Sequence, residues 1–205
     1  MTTIIRLTIL EATRKRLIWA LLLLTMLVVG LTGWGVSLLV TNARANGVPE
    51  SQIQFGVSQV VILLAFNYSF VLAMTAAFLG APALASDLDS GIALAMLARP
   101  IRRSEVLLGR WIGLALVLGG YAILGGGLEL AVVALVSDYV PPQPVIAIGF
   151  LVAEAIVTLT VAIVLGSRLS AMAGGAVAVV LFGLSWVAGV LGAVAAALNL
   201  ADLTA

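Results

Sequence analysis

Two groups of residues in this chain have types and spacing suited to chemistry. The first is a polar island, Ser86–Arg110. It reads Ser86-Asp87-Leu88-Asp89-Ser90-Gly91, then Arg99-Pro100, Arg102-Arg103-Ser104-Glu105 and Gly109-Arg110, and it holds seven of the protein's nineteen charged residues. A chain with so little charge concentrates it where it meets a partner in water. The second group is a pair of carboxylates, Glu129 and Glu154, each inside a long apolar run. A charge at the centre of a bilayer costs about 2.5–3.5 kcal/mol on insertion scales, so such groups seldom face lipid. They can line a path or share a proton; the plainer alternative is a protonated carboxyl satisfied by Tyr121, Thr158, Thr160 or a backbone carbonyl. Asn67, with Tyr68 and Ser69, is a weaker candidate for the same path.

Other chemistry is excluded by absence. There is no histidine and no cysteine, which removes imidazole and thiolate metal sites, disulfides and Cys- or Ser–His-based nucleophilic catalysis. The one lysine, Lys15, stands between Arg14 and Arg16 with no glycine upstream. A P-loop needs its lysine after a Gly-rich turn, to reach the terminal phosphates. No catalytic, cofactor-binding or metal site is therefore expected, and ATP-driven work would be powered by another polypeptide. The net charge of +1 argues against a nucleic acid or other polyanionic partner.

The elements that must position these residues are membrane helices. Hydrophobic residues make up 63% of the 205 and charged residues 9%, where soluble domains carry about 25% charged residues. The mean hydropathy is +1.25. About 20 apolar residues cross a bilayer core as a helix. Five stretches meet that length, namely 17–40, 55–85, 106–136, 145–166 and 171–198, with loops at 42–54, 86–105, 137–144 and 167–170. The expected fold is all-α, a polytopic transmembrane bundle in a single domain, 1–205. Pro141, Pro142 and Pro144 mark a clean break between the third and fourth spans.

Basic residues stay on the cytoplasmic side of a membrane. Arg6, Arg14, Lys15, Arg16, Arg99, Arg102, Arg103, Arg110 and Arg168 all fall on one side and Arg44 on the other. This places the N-terminus in the cytoplasm and the C-terminus outside. Residues 1–16, in which Ile4, Ile5, Leu7, Ile9 and Leu10 alternate with charge, read as a short helix lying in the interface. A cleaved signal peptide is the competing reading, but an apolar core of 24 residues is too long for one. Small residues four apart (Gly109 and Gly113, Ala122 and Gly126, Ser185 and Gly189, Gly189 and Ala193) allow close helix packing in lipid. Gly125-Gly126-Gly127 would loosen the third span into a hinge or break. Trp19, Trp34, Trp111 and Tyr139 fall near span ends, as interface anchors.

The island resembles the cytoplasmic loop of type-2 ABC transporter permeases. Asp87 and Asp89 stand at that family's acidic pair and Gly91 at its glycine. Pro100 falls nine residues later, Arg103 and Glu105 come after it, and Gly109-Arg110 replaces Gly-Lys at the opening of the next span. The departures are Asp for Glu, Ile92 for Thr and Arg102 for a small residue. The layout agrees over about residues 4–198, although the family usually has six spans and this chain five, so that either the chain is truncated and lacks a C-terminal sixth span or it is a shortened member. The resemblance implies a permease subunit of an ABC exporter in a bacterial or archaeal cytoplasmic membrane. It would assemble with a second permease copy or related chain and with an ABC ATPase that binds the ATP. The coupling surface would comprise Asp87, Asp89, Gly91, Arg99, Pro100, Arg102, Arg103, Glu105 and Arg110, and the path would include Glu129, Glu154 and Asn67. The residues alone also admit a proton-coupled carrier built on Glu129 and Glu154, or a scaffold that transports nothing.

Overall fold

The computed structural model describes residues 6–10, 16–83 and 103–197. Within them the protein is helical, with five long helices: α1 (Arg16–Ala45), α2 (Glu50–Gly80), α3 (Arg103–Ser137), α4 (Pro144–Gly166) and α5 (Ala171–Ala197). All five are long and apolar enough to cross a membrane. Of the expected interfacial helix, residues 6–10 are helical; the rest of it lies outside the described residues. Most of the island, 86–102, lies outside them as well.

The first loop is far shorter than expected. Apolarity fades at Val40, but α1 runs on through Asn42 and Arg44 and α2 begins at Glu50. The turn is set by Gly47, with φ at 71°. The Gly47 N–H donates to the Arg44 carbonyl at 3.1 Å and the Val48 N–H to the Ala43 carbonyl at 3.0 Å. That pairing closes a helix end with a left-handed glycine. Arg44 and Glu50 then bridge the hairpin at 3.0 Å. A hydropathy boundary marks where lipid would end, and the helix continues past it. At the same end, Gln54 of α2 donates to the carbonyl of Ser137, the last residue of α3, at 3.3 Å. Pro144 opens α4, where its missing N–H costs nothing.

The bundle has a near end, where α1 and α3 begin, and a far end, which holds Gly47. α2 occupies the centre, packed against α3, α4 and α5, while α1 and α5 lie on opposite flanks. At the near end Ala76, Leu79, Leu114, Leu118, Leu159 and Ile163 form the core of α2, α3 and α4. At the far end Val36, Val40, Ile53, Val57 and Val133 join α1, α2 and α3.

The tightest crossing joins α2, α4 and α5 through Ala77, Ala81, Ala162 and Ala178. A Cβ on Gly166 would collide with the Ala81 backbone carbonyl, and one on Gly174 would come 3.1 Å from the Gly166 nitrogen. Each helix presents two small residues four apart: Ala77 and Ala81, Ala162 and Gly166, Gly174 and Ala178. In lipid, where no hydrophobic force drives helices together, close backbone approach supplies dispersion contact instead. The spacing expected from sequence is thus used, but the decisive positions differ from those expected. Gly189 of α5 has open space where its Cβ would stand.

No hinge forms at Gly125-Gly126-Gly127. α3 is one continuous helix across them, because a broken backbone in an apolar medium leaves groups that nothing there can satisfy. Gly125 instead gives way to Tyr68, whose ring and hydroxyl fill the space a Cβ would need.

Candidate functional site

α1 leans on α3 along its length and meets α2 little. The face it turns inward is Thr25, Val29, Thr32, Val36 and Val40, all at least nine-tenths buried, a helical repeat of three and four residues. Beyond the shared far-end core, α1 and α2 separate, and a groove floored by α3 opens between them.

Polar side chains from all three helices line this groove. Tyr121, Gly125 and Glu129 succeed one another at intervals of four on α3, and so share a stripe. Asn67 and Tyr68 face them from α2. A cavity of about 160 Å³ is lined by Thr25, Asn67, Tyr68, Tyr121 and Glu129 among aliphatic side chains. The hydroxyls are mutually placed: Thr25 Oγ1 and Tyr121 OH are 2.6 Å apart, and Tyr68 OH donates to the Tyr121 carbonyl at 2.7 Å. The rings of Tyr68 and Tyr121 lie 5.9 Å apart. Thr32 Oγ1 donates to Glu129 Oε1 at 2.8 Å, leaving a half-exposed carboxyl at the cavity wall.

Two further cavities adjoin this one along α2 and α3. Toward the near end, an open cleft of about 310 Å³ is lined by Leu22, Thr75, Leu79, Gly120, Tyr121 and neighbouring aliphatic residues, with Ile9 of the N-terminal helical segment as part of its lining. Toward the far end, about 70 Å³ lies between α2, α3 and α4, with Tyr68 and Glu129 again in its wall and Pro141 at its margin. Tyr121 thus belongs to the middle and near cavities, and Tyr68 and Glu129 to the middle and far ones.

Glu154 belongs elsewhere. Its Oε1 accepts from Ser69 Oγ at 2.5 Å, at the contact of α2 with α4. Ser69 is one residue, about 100° of helix, beyond Tyr68. Glu129 and Glu154 are therefore held by hydroxyls of different helices, α1 and α2. Ala122 and Ala155 share one packed cluster, so Glu129, seven residues along α3, lies about 10 Å nearer the far end than that layer. None of the partners expected for a packed carboxyl is the one used. The hydroxyls that sequence reading missed are Thr25 and Thr32; their signal was a spacing of seven on one face of α1.

The model for ABC-2 family transporter proteins matches residues 2–204. The chain belongs to that family. It is the membrane-spanning permease component of an ABC transporter, a multi-pass membrane protein whose family is typically not catalytic itself. No curated protein gives a significant match.

In this ABC-2 permease the expected coupling residues divide. Asp87, Asp89, Gly91, Arg99, Pro100 and Arg102 lie outside the described residues. Arg103 opens α3, and Glu105 is exposed in its first turn, where a negative charge favours the helix dipole. Arg110 is half-buried and donates from Nη1 to the carbonyl of Ala83. It ties the start of α3 to the chain leaving α2, at the base of the expected elbow. Trp111 donates to Thr160 Oγ1 of α4 at 2.9 Å, so its indole bridges helices. Trp19 and Trp34 are exposed, as anchors would be.

Proposed function

We propose that this permease is an exporter whose cargo occupies the α1–α2 groove, driven by a separate ABC ATPase that docks on the elbow 86–105. The observation that carries the reading is the groove itself: Asn67, Tyr68, Tyr121 and Glu129 converge, with Thr25, on a cavity otherwise lined with aliphatic side chains. Polar groups in a span are kept at a cost, and they mark binding sites and pathways. The N-terminus and the near end face the cytoplasm, and Arg99, Arg102 and Arg103 supply the positive charge for docking. A second permease copy or a related chain completes the transporter. Arg110 holds the elbow's base rigid, so that motion of the ATPase passes into α2 and α3. Glu154, engaged by Ser69, is assigned to packing between α2 and α4.

The test is affinity purification from native membranes in mild detergent, with mass spectrometry of the eluate. A P-loop ATPase should co-elute with the wild-type chain and be lost from the Arg102→Glu/Arg103→Glu variant at equal abundance. Normal transport by that variant would remove the elbow from the mechanism. Recovery of this chain alone, under conditions that preserve known complexes, would favour a carrier that works without an ATPase.

A further inference from the structure

The three cavities are consecutive along the same helices. On α3 the near chamber is lined by residues 116–124, the middle one by Tyr121 and Glu129, and the far one by residues 126–133. On α2 the order runs in reverse, as an antiparallel helix requires: 75–79, then 64–71, then 61–68. The character changes along the line. The near chamber is walled by aliphatic carbon, and its polar groups are already used: Thr75 donates to the Val71 carbonyl and Tyr121 is paired with Thr25. The middle chamber holds an amide, two phenols and a carboxyl, and Glu129 has Thr32 as its hydrogen-bond partner among the described residues. An aliphatic cavity therefore lies next, along α2 and α3, to an acceptor-rich one with a carboxyl in its wall.

We propose that this groove binds an amphiphile with one alkyl chain and an ammonium-type head. The head lies beside Glu129, Asn67 and Tyr68, and the tail lies in the near chamber. The proposal deepens the permease reading, and depends on it only for the transport of the bound amphiphile. A carboxyl in a span is complementary to a cation, whose own transfer into an apolar site is costly unless it is paired. The rise along α3 sets the tail: Glu129 is about 12 Å from the level of Tyr121 and about 20 Å from that of Leu116, a reach suited to a chain rather than to a compact solute. A chamber of about 310 Å³ is at the small end of ligand pockets and admits a single chain. Tyr121 stands where the chambers meet, and its contact with Thr25 draws α1 and α3 together there. That contact is the constriction the tail must pass. Ile9 lines the near chamber from the side of the N-terminal segment.

The experiment uses the full chain in phospholipid nanodiscs and a dodecylammonium probe carrying a diazirine at the end of its tail. Photolabelling should saturate, be competed by unlabelled dodecylammonium, and map to α1 and α3 around Leu22 and Leu116–Leu124. A probe of equal length with a sulfate head should label these helices at least about tenfold less at equal concentration. Glu129→Gln should weaken saturable labelling by about tenfold. Gly120→Phe fills the near chamber from a position where a Cβ meets nothing, and it should abolish tail labelling while the chain stays folded. Unsaturable labelling spread over α5, or wild-type labelling of both variants, overturns the proposal. Equal labelling by the sulfate probe overturns the assignment of the head. The ATPase co-purification is read separately: retained ATPase with no specific labelling removes only this cargo class, whereas specific labelling without an ATPase removes only the permease coupling.

Discussion

Gly125 of α3 lacks a side chain where Tyr68 of α2 has one. The tyrosine's ring and hydroxyl occupy the place a Cβ on Gly125 would take, and from there the hydroxyl reaches the Tyr121 carbonyl at 2.7 Å. The close pair draws α2 onto α3 at the level where the groove's polar side chains converge. Gly125→Ala should displace the ring and cost about 1–3 kcal/mol, the usual range for overpacking. Thermal unfolding in mild detergent measures it. Because the two residues touch, Gly125→Ala combined with Tyr68→Ala should cost less than the sum of the single changes. Strict additivity would mean that the contact does not hold the helices together.

A glycine's importance here depends on what its missing Cβ would meet. Gly166 faces the Ala81 backbone, which has no side chain to swing aside, while Gly189 faces open space. Gly166→Ala should therefore lower the yield of folded, monodisperse protein sharply, and Gly189→Ala should leave it unchanged. Equal yields would show that the α2–α4–α5 crossing is looser than its geometry indicates.

Arg110 and the arginines of the elbow should separate in their effects. Arg110→Ala removes a charged donor from the Ala83 carbonyl, and hydrogen bonds of that kind contribute about 1.5–3 kcal/mol. The variant should melt earlier yet still bring down the ATPase. Arg102→Glu/Arg103→Glu should melt normally and lose it. The opposite pattern would move the docking role to Arg110.

Thr32 and Glu129 form a pair across α1 and α3. Thr32→Val leaves the carboxyl without its donor and should destabilise the bundle by about 1–3 kcal/mol, whereas Thr32→Ser retains the hydroxyl and should cost much less. Glu129→Leu in the Thr32→Val background should recover most of the loss, since removing both partners avoids an unsatisfied group. Unfolding midpoints of the wild type, Thr32→Val, Glu129→Leu and the double variant form the cycle, with Thr32→Ser as the control. No recovery would show that the threonine acts through packing alone.

Glu154→Gln keeps an oxygen for the Ser69 hydroxyl and removes a titrating proton. Transport by reconstituted permease and ATPase should continue at the wild-type rate. Loss of transport at normal abundance would reinstate the proton-coupled carrier, in which this carboxyl must ionise in each cycle.

Much of the fold was legible in the residues. The five apolar runs became five helices because a span must satisfy its own backbone, and about 20 apolar residues suffice to mark one. Glu129 and Asn67 were found because a polar group in lipid is costly wherever it points. The helix ends were not legible in the same way. Asn42–Ala45 and Glu50–Gln54 are polar enough to end an apolar count, yet the Gly47 turn and the Arg44–Glu50 bridge carry helix through them.

The sequence by itself determined the class of the protein, the five spans among its described residues and the residues whose burial must be compensated. Each of these comes from the transfer cost of individual groups, which does not depend on neighbours. Tertiary structure alone decided which glycines are indispensable, that Glu129 joins the groove while Glu154 is taken by Ser69, and that Thr25 and Thr32 complete the polar wall. Those outcomes depend on how one helix is rotated against another. With apolar residues on every face, the hydrophobic pattern of a membrane helix says little about which side meets which neighbour.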